Sequence, residues 1–311
     1  MPQKIILDCD PGHDDAIAIL LAHGNSEIDL VAITTVAGNQ TLPKVTRNAL
    51  RVCTVAGITD VPVAAGCAGP LVRQQIVAPE IHGETGLDGP DFPEPTVELD
   101  PRHAVDLIVD TVMAAEPDEI TLVPVGPLTN IAMAIRREPA IVERVRGISL
   151  MGGAYTRGNT TPAAEFNIFA DPEAAAAVFD APWNVTMVGL DLTHQAGATD
   201  AVVERFSALG TPLSKIVVDL LTFFGSTYKK VTGLDAPPVH DPCAVAYVIN
   251  PALLTTEDAY VGVELKGTLT YGMTVTDFRD AYGRAHNTQV ATKLDVDSFW
   301  DLVVDAVAAI G

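Results

Sequence analysis

Four carboxylates fall within eight residues near the start of the chain: Asp8, Asp10, Asp14 and Asp15. On a strand Asp8 and Asp10 project to the same face, because side chains alternate. Pro11-Gly12 then turns the chain, and Asp14 and Asp15 open a helix. One or two acids at a helix N-terminus complement its dipole. Four acids converging at a strand end must instead be neutralised by protons, cationic side chains or a metal. The run itself holds no Lys or Arg. A hard divalent cation with oxygen ligands, Ca²⁺ or Mg²⁺, is the natural solution. Helix capping with ordinary surface charge is the plainer alternative.

Residues of this kind need a scaffold, and the chain supplies one by alternation. Apolar runs bounded by Gly, Pro or Asp predict strands at Lys4–Asp10, Leu30–Val36, Val61–Ala65, Ile120–Val125, Gly147–Met151 and Val185–Leu190. Helical patterns fall between and beside them at Asp14–His23, Leu42–Ala56, Arg102–Ala115, Leu128–Arg136 and Pro172–Phe179. Period-two patterning over Tyr260–Phe278 predicts a hairpin added to the core, and Ser298–Ile310 a closing amphipathic helix. The βαβα order implies an α/β fold: a mostly parallel twisted sheet with helices on both faces. No linker, repeat or charge block divides residues 1–311, which read as a single large domain. Ligands of open α/β sheets bind beyond the carboxyl ends of the strands. Polar and Gly residues recur there: the Asp run, Gly38-Asn39, Gly126 to Asn130, Gly152-Gly153 and Asp191.

Composition narrows the function classes. The 311 residues carry 40 acidic against 19 basic side chains, a formal charge of −21. That balance argues against nucleic acid or an anionic membrane surface as partner. With 48% hydrophobic residues the chain has material for a sizeable core. Cys9, Cys53, Cys67 and Cys243 form no C-x-x-C pair, so zinc spacing and a disulfide framework are both absent. The opening MPQKIILDCDPGHDD meets carboxylates at once, unlike a signal peptide. No apolar run approaches the roughly 20 residues that span a bilayer. The expectation is a soluble cytoplasmic protein with reduced thiols.

Motifs exclude further classes. No G-x-G-x-x-G follows the first strand, so the sheet is Rossmann-like without a dinucleotide motif, and no P-loop occurs. Asp8-x-Asp10 resembles the start of the haloacid-dehalogenase phosphatases, in which a first Asp attacks phosphorus. Those enzymes carry Thr or Val two residues after the second Asp; here it is Gly12, and Asp14-Asp15 has no place in that pattern. The whole run Asp8-x-Asp10-x-x-x-Asp14-Asp15 resembles the signature of the inosine–uridine preferring nucleoside hydrolases. So do Val36-Ala-Gly-Asn39, His82 to Gly89, Pro124 to Asn130, Met151-Gly-Gly-Ala with Gly158-Asn159 and Ala164 to Asn167, and Val239 to Ala246. Six short motifs in that family's order are specific where any one alone is weak.

The resemblance implies a nucleoside N-ribohydrolase that releases free base and ribose. It implies one Ca²⁺ held by Asp10, Asp15, Asp241 and the main-chain carbonyl of Val125, where the family often has Thr. Asp10 is then the general base for a water that attacks the anomeric carbon with inversion. Asp14, Asn39, Asn159, Glu165 and Asn167 are implied as ribose ligands, with Asp8 orienting the groups around it. His240 is implied as the proton donor to the leaving base, and His82 and Tyr228 as contacts to base or sugar from two loops. Met151 and Phe166 flank the sugar-binding residues as an apolar floor or as core. Phe224 stands where some broad-specificity members have a second Tyr. His13, His23, His103, His194 and His286 match no catalytic position and read as surface or packing residues. His240 with Tyr228 favours a broad inosine/uridine preference, and the family suggests a homotetramer or a homodimer. Two other readings stay open: a metal-dependent phosphatase with a phosphorylatable Asp8, and a nucleoside-binding homologue without catalysis. The presence of Asp10, Asp15 and Asp241 together counts against the last.

Overall fold

In a computed structural model, which describes residues 2–311, the apolar run Gln3–Cys9 forms strand β1, buried from Ile5 onward. The other strands are β2 (Ile28–Thr35), β3 (Val63–Ala65), β4 (Ile120–Pro124), β5 (Gly147–Met151), β6 (Val185–Val188), β7 (Leu254–Val263), β8 (Thr274–Asp277) and β9 (Thr288–Leu294). They form one sheet in the order β3-β2-β1-β4-β5-β6-β9-β7-β8. Every neighbouring pair from β3 to β9 is parallel; β7 runs antiparallel to both β9 and β8. Alternation divides the core. Ile5 and Leu7 face one apolar cluster and Ile6 the other, so helices cover both faces. The chain leaves β1 toward β2 and β3, then returns to β4 on the opposite side of β1. That reversal opens a crevice at the carboxyl ends of β1 and β4, where such sheets bind ligands.

The helix His13–Gly24 hangs directly from this crevice. It is buried from His13 through Ala22, as expected of a helix that is apolar all round. Its outer side packs against the C-terminal helix Val296–Ile310. Gly24 marks the closest approach: a Cβ there would run into the Ala306 carbonyl. Gly24→Val therefore overpacks this junction and costs roughly 1–3 kcal/mol. Thermal unfolding of the variant checks this, and an unchanged midpoint would show that the two helices separate without strain.

Several predicted elements match residue for residue: Leu42–Ala56, Gly147–Met151 and Pro172–Phe179. The strand expected over Val185–Leu190 stops at Val188, because Leu190–Thr193 turns into a short helix. The hairpin expected over Tyr260–Phe278 is present, but β7 begins at Leu254 and its first half pairs with β9. The hairpin thus extends the main sheet instead of standing beside it. Strand β9 is not legible in the sequence, because Thr288, Gln289, Thr292 and Lys293 interrupt its apolar residues. The long helix Pro212–Thr232 was likewise unassigned. Its signals are Thr211 with Ser214 as a capping box, Pro212 in its first turn and left-handed Gly233 at its end. Among the described residues no helix is long and apolar enough to cross a membrane. All four cysteines are free.

Candidate active site

The crevice holds a cavity of about 360 Å³. Its wall includes Asp14, Asn39, His82, Val125, Met151, Asn159, Glu165, Phe166, Asn167, Phe224, Tyr228, His240 and Asp241. These residues come from the ends of β1, β2, β4 and β5, from the loop Ala78–Gly89, and from the helix Pro212–Thr232 and the segment that follows it. No Lys or Arg lines it.

Asp10, just past β1, is buried and does not itself line the cavity. Its Oδ2 accepts the Asn39 N–H at 2.6 Å, and its own N–H donates to Asp15 Oδ1 at 2.9 Å. Gly12 N–H donates to Asp15 Oδ2 at 2.9 Å, and the Asn39 amide donates to the same oxygen and to the Asp10 carbonyl at 3.2 Å. A Cβ on Gly38 or on Gly126 would collide with the Asp10 carboxylate, so both strand ends require glycine for close approach. Oxygens of Asp14, Asp15 and Asp241 all lie within 4.8 Å of one another. The tightest trio therefore contains Asp14, which the sequence reading assigned to ribose, while Asp10 borders it through Asp15.

Burial with like charge around them dominates these acids. Burial pushes Asp10 and Asp241 well above the usual carboxylate range, with neighbouring Asp15 and Asp14 adding to it respectively. Burial, then Asp15, raises Asp14 to about 7, and burial raises Asp15 despite its backbone donors. Four carboxylates raised in this way, with no cationic side chain, make a site for a cation. The donors are all hard oxygens, and those of Asp14, Asp15 and Asp241 lie close enough together to share one divalent cation. The Val125 main chain turns in here too, its carbonyl accepting from the Asn167 amide at 2.8 Å.

Asp8 lies behind this group, fully buried, with Thr34 Oγ1 donating at 2.6 Å and the Asn130 amide at 2.7 Å to its Oδ1. Held by donors from β2 and from the helix after β4, it braces the strand ends. Glu165 caps the short helix Phe166–Ala170, accepting from the N–H groups of Asn167, Ile168 and Gly153. Burial lifts it to about 7. Asn159 stands exposed at the rim, its Oδ1 accepting from Phe166 N–H at 2.9 Å, which leaves its amide donors free. The Asn167 amide also donates to the Met151 carbonyl at 3.1 Å. Asp191, at the end of β6, accepts from Tyr155 N–H and ties a loop, outside the cavity.

The opposite wall is aromatic. His240 N–H donates to Asp14 Oδ2 at 3.2 Å; its Nδ1 lies 2.7 Å from Thr193 Oγ1 and its Nε2 3.4 Å from the Tyr228 hydroxyl. Burial, then His194, pushes His240 down to about 3, so the ring is neutral near pH 7. Phe224 meets Tyr228 edge-on and stacks on His82 and His13. His13, read from sequence as a packing residue, proves to be a partner of His82. Sequence offered no signal for this, because His13 and His82 are far apart in the chain.

An open α/β sheet thus carries a carboxylate cluster and an amide-rimmed cavity at its switch point, a class of site able to hold a cation beside a polar ligand. Residues 5–301 match the family model described as inosine-uridine preferring nucleoside hydrolase. The chain is 59% identical over 312 residues to the inosine-uridine preferring nucleoside hydrolase of Leishmania major, covering 100% of this chain and 99% of that protein. It is 51% identical over 305 residues to a pyrimidine-specific ribonucleoside hydrolase of Escherichia coli, covering 98% and 97%. Among solved structures, a purine-preferring ribonucleoside hydrolase from Gardnerella vaginalis superposes with a TM-score of 0.93 at 33% identity, each chain covered to 99%. The chain belongs to the inosine-uridine preferring nucleoside hydrolase family, and it is a nucleoside N-ribohydrolase acting on ribonucleosides.

Proposed function

We propose that this enzyme is Ca²⁺-dependent and accepts both inosine and uridine in nucleoside salvage. The observation that carries this reading is the meeting of Asp14 and Asp241 with Asn39 and Asn167 in the cavity wall, with buried Asp10 and Asp15 directly behind them, and of His240 with Tyr228 on its aromatic side. Ca²⁺ held by Asp10, Asp15, Asp241 and the Val125 carbonyl would supply a Lewis acid that makes water acidic enough to give up a proton near neutrality. Asp10 takes that proton as general base. Asp14, Asn39, Asn159, Glu165 and Asn167 hold the ribose hydroxyls while positive charge develops on the sugar. Glu165, whose oxygens also accept backbone N–H groups, in addition fixes Gly153 and Asn167 around the sugar. His240, neutral in the resting enzyme, hydrogen-bonds the departing base beside Tyr228. Support for breadth over a strict pyrimidine preference is this aromatic pair, together with the names of the relatives at 59% and 57% identity. We further propose a cytoplasmic homotetramer or homodimer, as the family resemblance suggests.

Ribose release from inosine, adenosine, uridine, cytidine and 2′-deoxyinosine, with and without a Ca²⁺ chelator, tests the proposal. Chelator-sensitive release from both inosine and uridine is the expected result. A site built to bond the 2′-hydroxyl should disfavour 2′-deoxyinosine by roughly 10⁴-fold relative to inosine. Comparable rates on the two would remove the ribose-ligand assignment, and full activity in chelator would remove the cation.

A further inference from the structure

The buried face of the helix Leu42–Ala56 is apolar at Val45, Ala49, Val52 and Cys53, but Asn48 interrupts it. Asn is a poor helix former, and with only 1% of its surface exposed Asn48 has to find hydrogen-bond partners inside the fold. Its Nδ2 donates to the Pro11 carbonyl and to the Thr85 carbonyl, both at 3.0 Å. Both partners are main-chain oxygens that can only accept, so the NH₂ end faces them. The two carbonyls belong to separate parts of the site. Pro11 lies in the turn between Asp10 and Gly12, whose N–H groups hold Asp15. Thr85 lies in the loop Ala78–Gly89, close after His82, whose ring lines the cavity. Gly86, left-handed at φ 84°, comes so near the Asn48 amide that a Cβ there would sit 3.2 Å from its nitrogen.

Other side chains hold the same loop elsewhere. Gln40 and Lys44 donate to the Glu84 carbonyl, and Thr227 Oγ1 donates to the Ile81 carbonyl at 2.7 Å. His13 Nε2 lies 2.8 Å from the Asp88 carbonyl oxygen. Of these side chains, among the described residues, only Asn48 also bonds the Asp10–Pro11–Gly12 turn. Its chemistry suits a bridge between two acceptors: an amide nitrogen carries two hydrogens, a hydroxyl one and a carboxylate none. We infer that Asn48 is a positioning residue of the active site, whose one amide fixes the tip of the His82 loop against the turn that carries the acidic cluster and so sets how closely His82 stands to a ligand held there. The riboside as that ligand rests on the proposed function; the bridge does not.

The test compares the full chain, Ca²⁺-loaded, with Asn48→Leu, which keeps the branching of the side chain and removes both donors. Amide hydrogen exchange without substrate reads the loop directly, because the N–H groups of Glu84, Thr85, Gly86 and Asp88 are bonded within it. In Asn48→Leu they should exchange roughly fivefold faster, the worth of one hydrogen bond, while the helix His13–Gly24 keeps its protection. On inosine or uridine KM should rise by a similar factor with kcat little changed, because Asp10 and Asp15 keep their own backbone donors. Lys44→Ala removes an exposed bond to the same loop and should leave both readouts as they are. Unchanged loop exchange in Asn48→Leu overturns the inference. So does exchange that quickens equally along the whole chain, which marks a structural role alone, and so does a fall in kcat at constant KM. An equal effect of Lys44→Ala also overturns it. If Asn48→Leu does not fold, Asn48→Ala, which suits a helix interior better, is held to the same results. If no riboside is hydrolysed, the proposed function falls, while hydrogen exchange still judges the bridge.

Discussion

Asp10→Ala should slow ribose release from inosine or uridine by roughly 10⁴-fold, the upper end of what a lost general base costs. The upper end is expected because Asp10 serves two purposes in the proposed chemistry. It takes the proton of the attacking water, and it borders the oxygen trio formed by Asp14, Asp15 and Asp241. The side chain also accepts the Asn39 N–H, so its removal loosens the β2 end that carries a ribose ligand. Asp10→Asn separates these contributions. It keeps an oxygen for the Asn39 N–H but cannot take a proton, so it should fall nearly as far in kcat while retaining the fold. The measurement is single-turnover ribose release with Ca²⁺ in excess, beside thermal unfolding of each variant. A rate within tenfold of the unsubstituted enzyme would assign the base elsewhere.

The second large effect is on stability. Cation-free protein should become more stable as pH falls from 8 to about 6.5, below which the buried histidines oppose the gain, and Ca²⁺ should stabilise it far more at pH 8 than at pH 5. Burial raises Asp8 and Asp14 from 3.8 to about 7 in the folded chain. Between those values the folded state binds more protons than the unfolded one, so stability falls as pH rises through the folded value. The contribution is complete only below about 3.8 and is gone above about 7. For fully buried Asp8 alone the shift corresponds to about 4 kcal/mol, or on the order of 10 °C in Tm for a chain of this size. The buried histidines His13 and His240, lowered from 6.5 to about 4 and about 3, act in the opposite sense below about 6.5, and surface pairs such as Asp100 with Arg102, whose carboxylate sits at about 2, only under more acidic conditions. Ca²⁺ needs its ligands deprotonated, so it competes with these protons and its stabilisation fades as pH falls. Calorimetry in chelator and in Ca²⁺ across this range is the check, with Asp8→Asn expected to flatten the chelator curve. Equal Ca²⁺ increments at pH 5 and pH 8 would mean that the carboxylates are not the cation site.

The acidic cluster of the candidate site was legible because local spacing constrains it. A strand end followed by Pro11-Gly12 and a helix start can place Asp8, Asp10, Asp14 and Asp15 in only a few ways, since side-chain direction repeats every two or 3.6 residues. The repeated apolar runs likewise determined a parallel sheet, and the polar strand ends marked where a site would form. Their functional assignment came from the family resemblance and not from spacing.

What only the tertiary structure decided is set by contacts between distant segments. Asp241 joins Asp14 and Asp15 across most of the chain, and His240 N–H reaches Asp14 over 226 positions. No periodicity encodes such a meeting; the strand order β2-β1-β4 does, by folding both ends into one crevice. The same holds for Asp8, whose Oδ1 accepts from Thr34 on β2 and Asn130 beyond β4, and for Glu165, whose oxygens are taken by backbone donors of two segments. His13 is the clearest case. In sequence it is one polar residue at a helix start. In the fold, the aromatic helix Pro212–Thr232 and the loop Ala78–Gly89 close over it and stack His82, Phe223 and Phe224 around its ring.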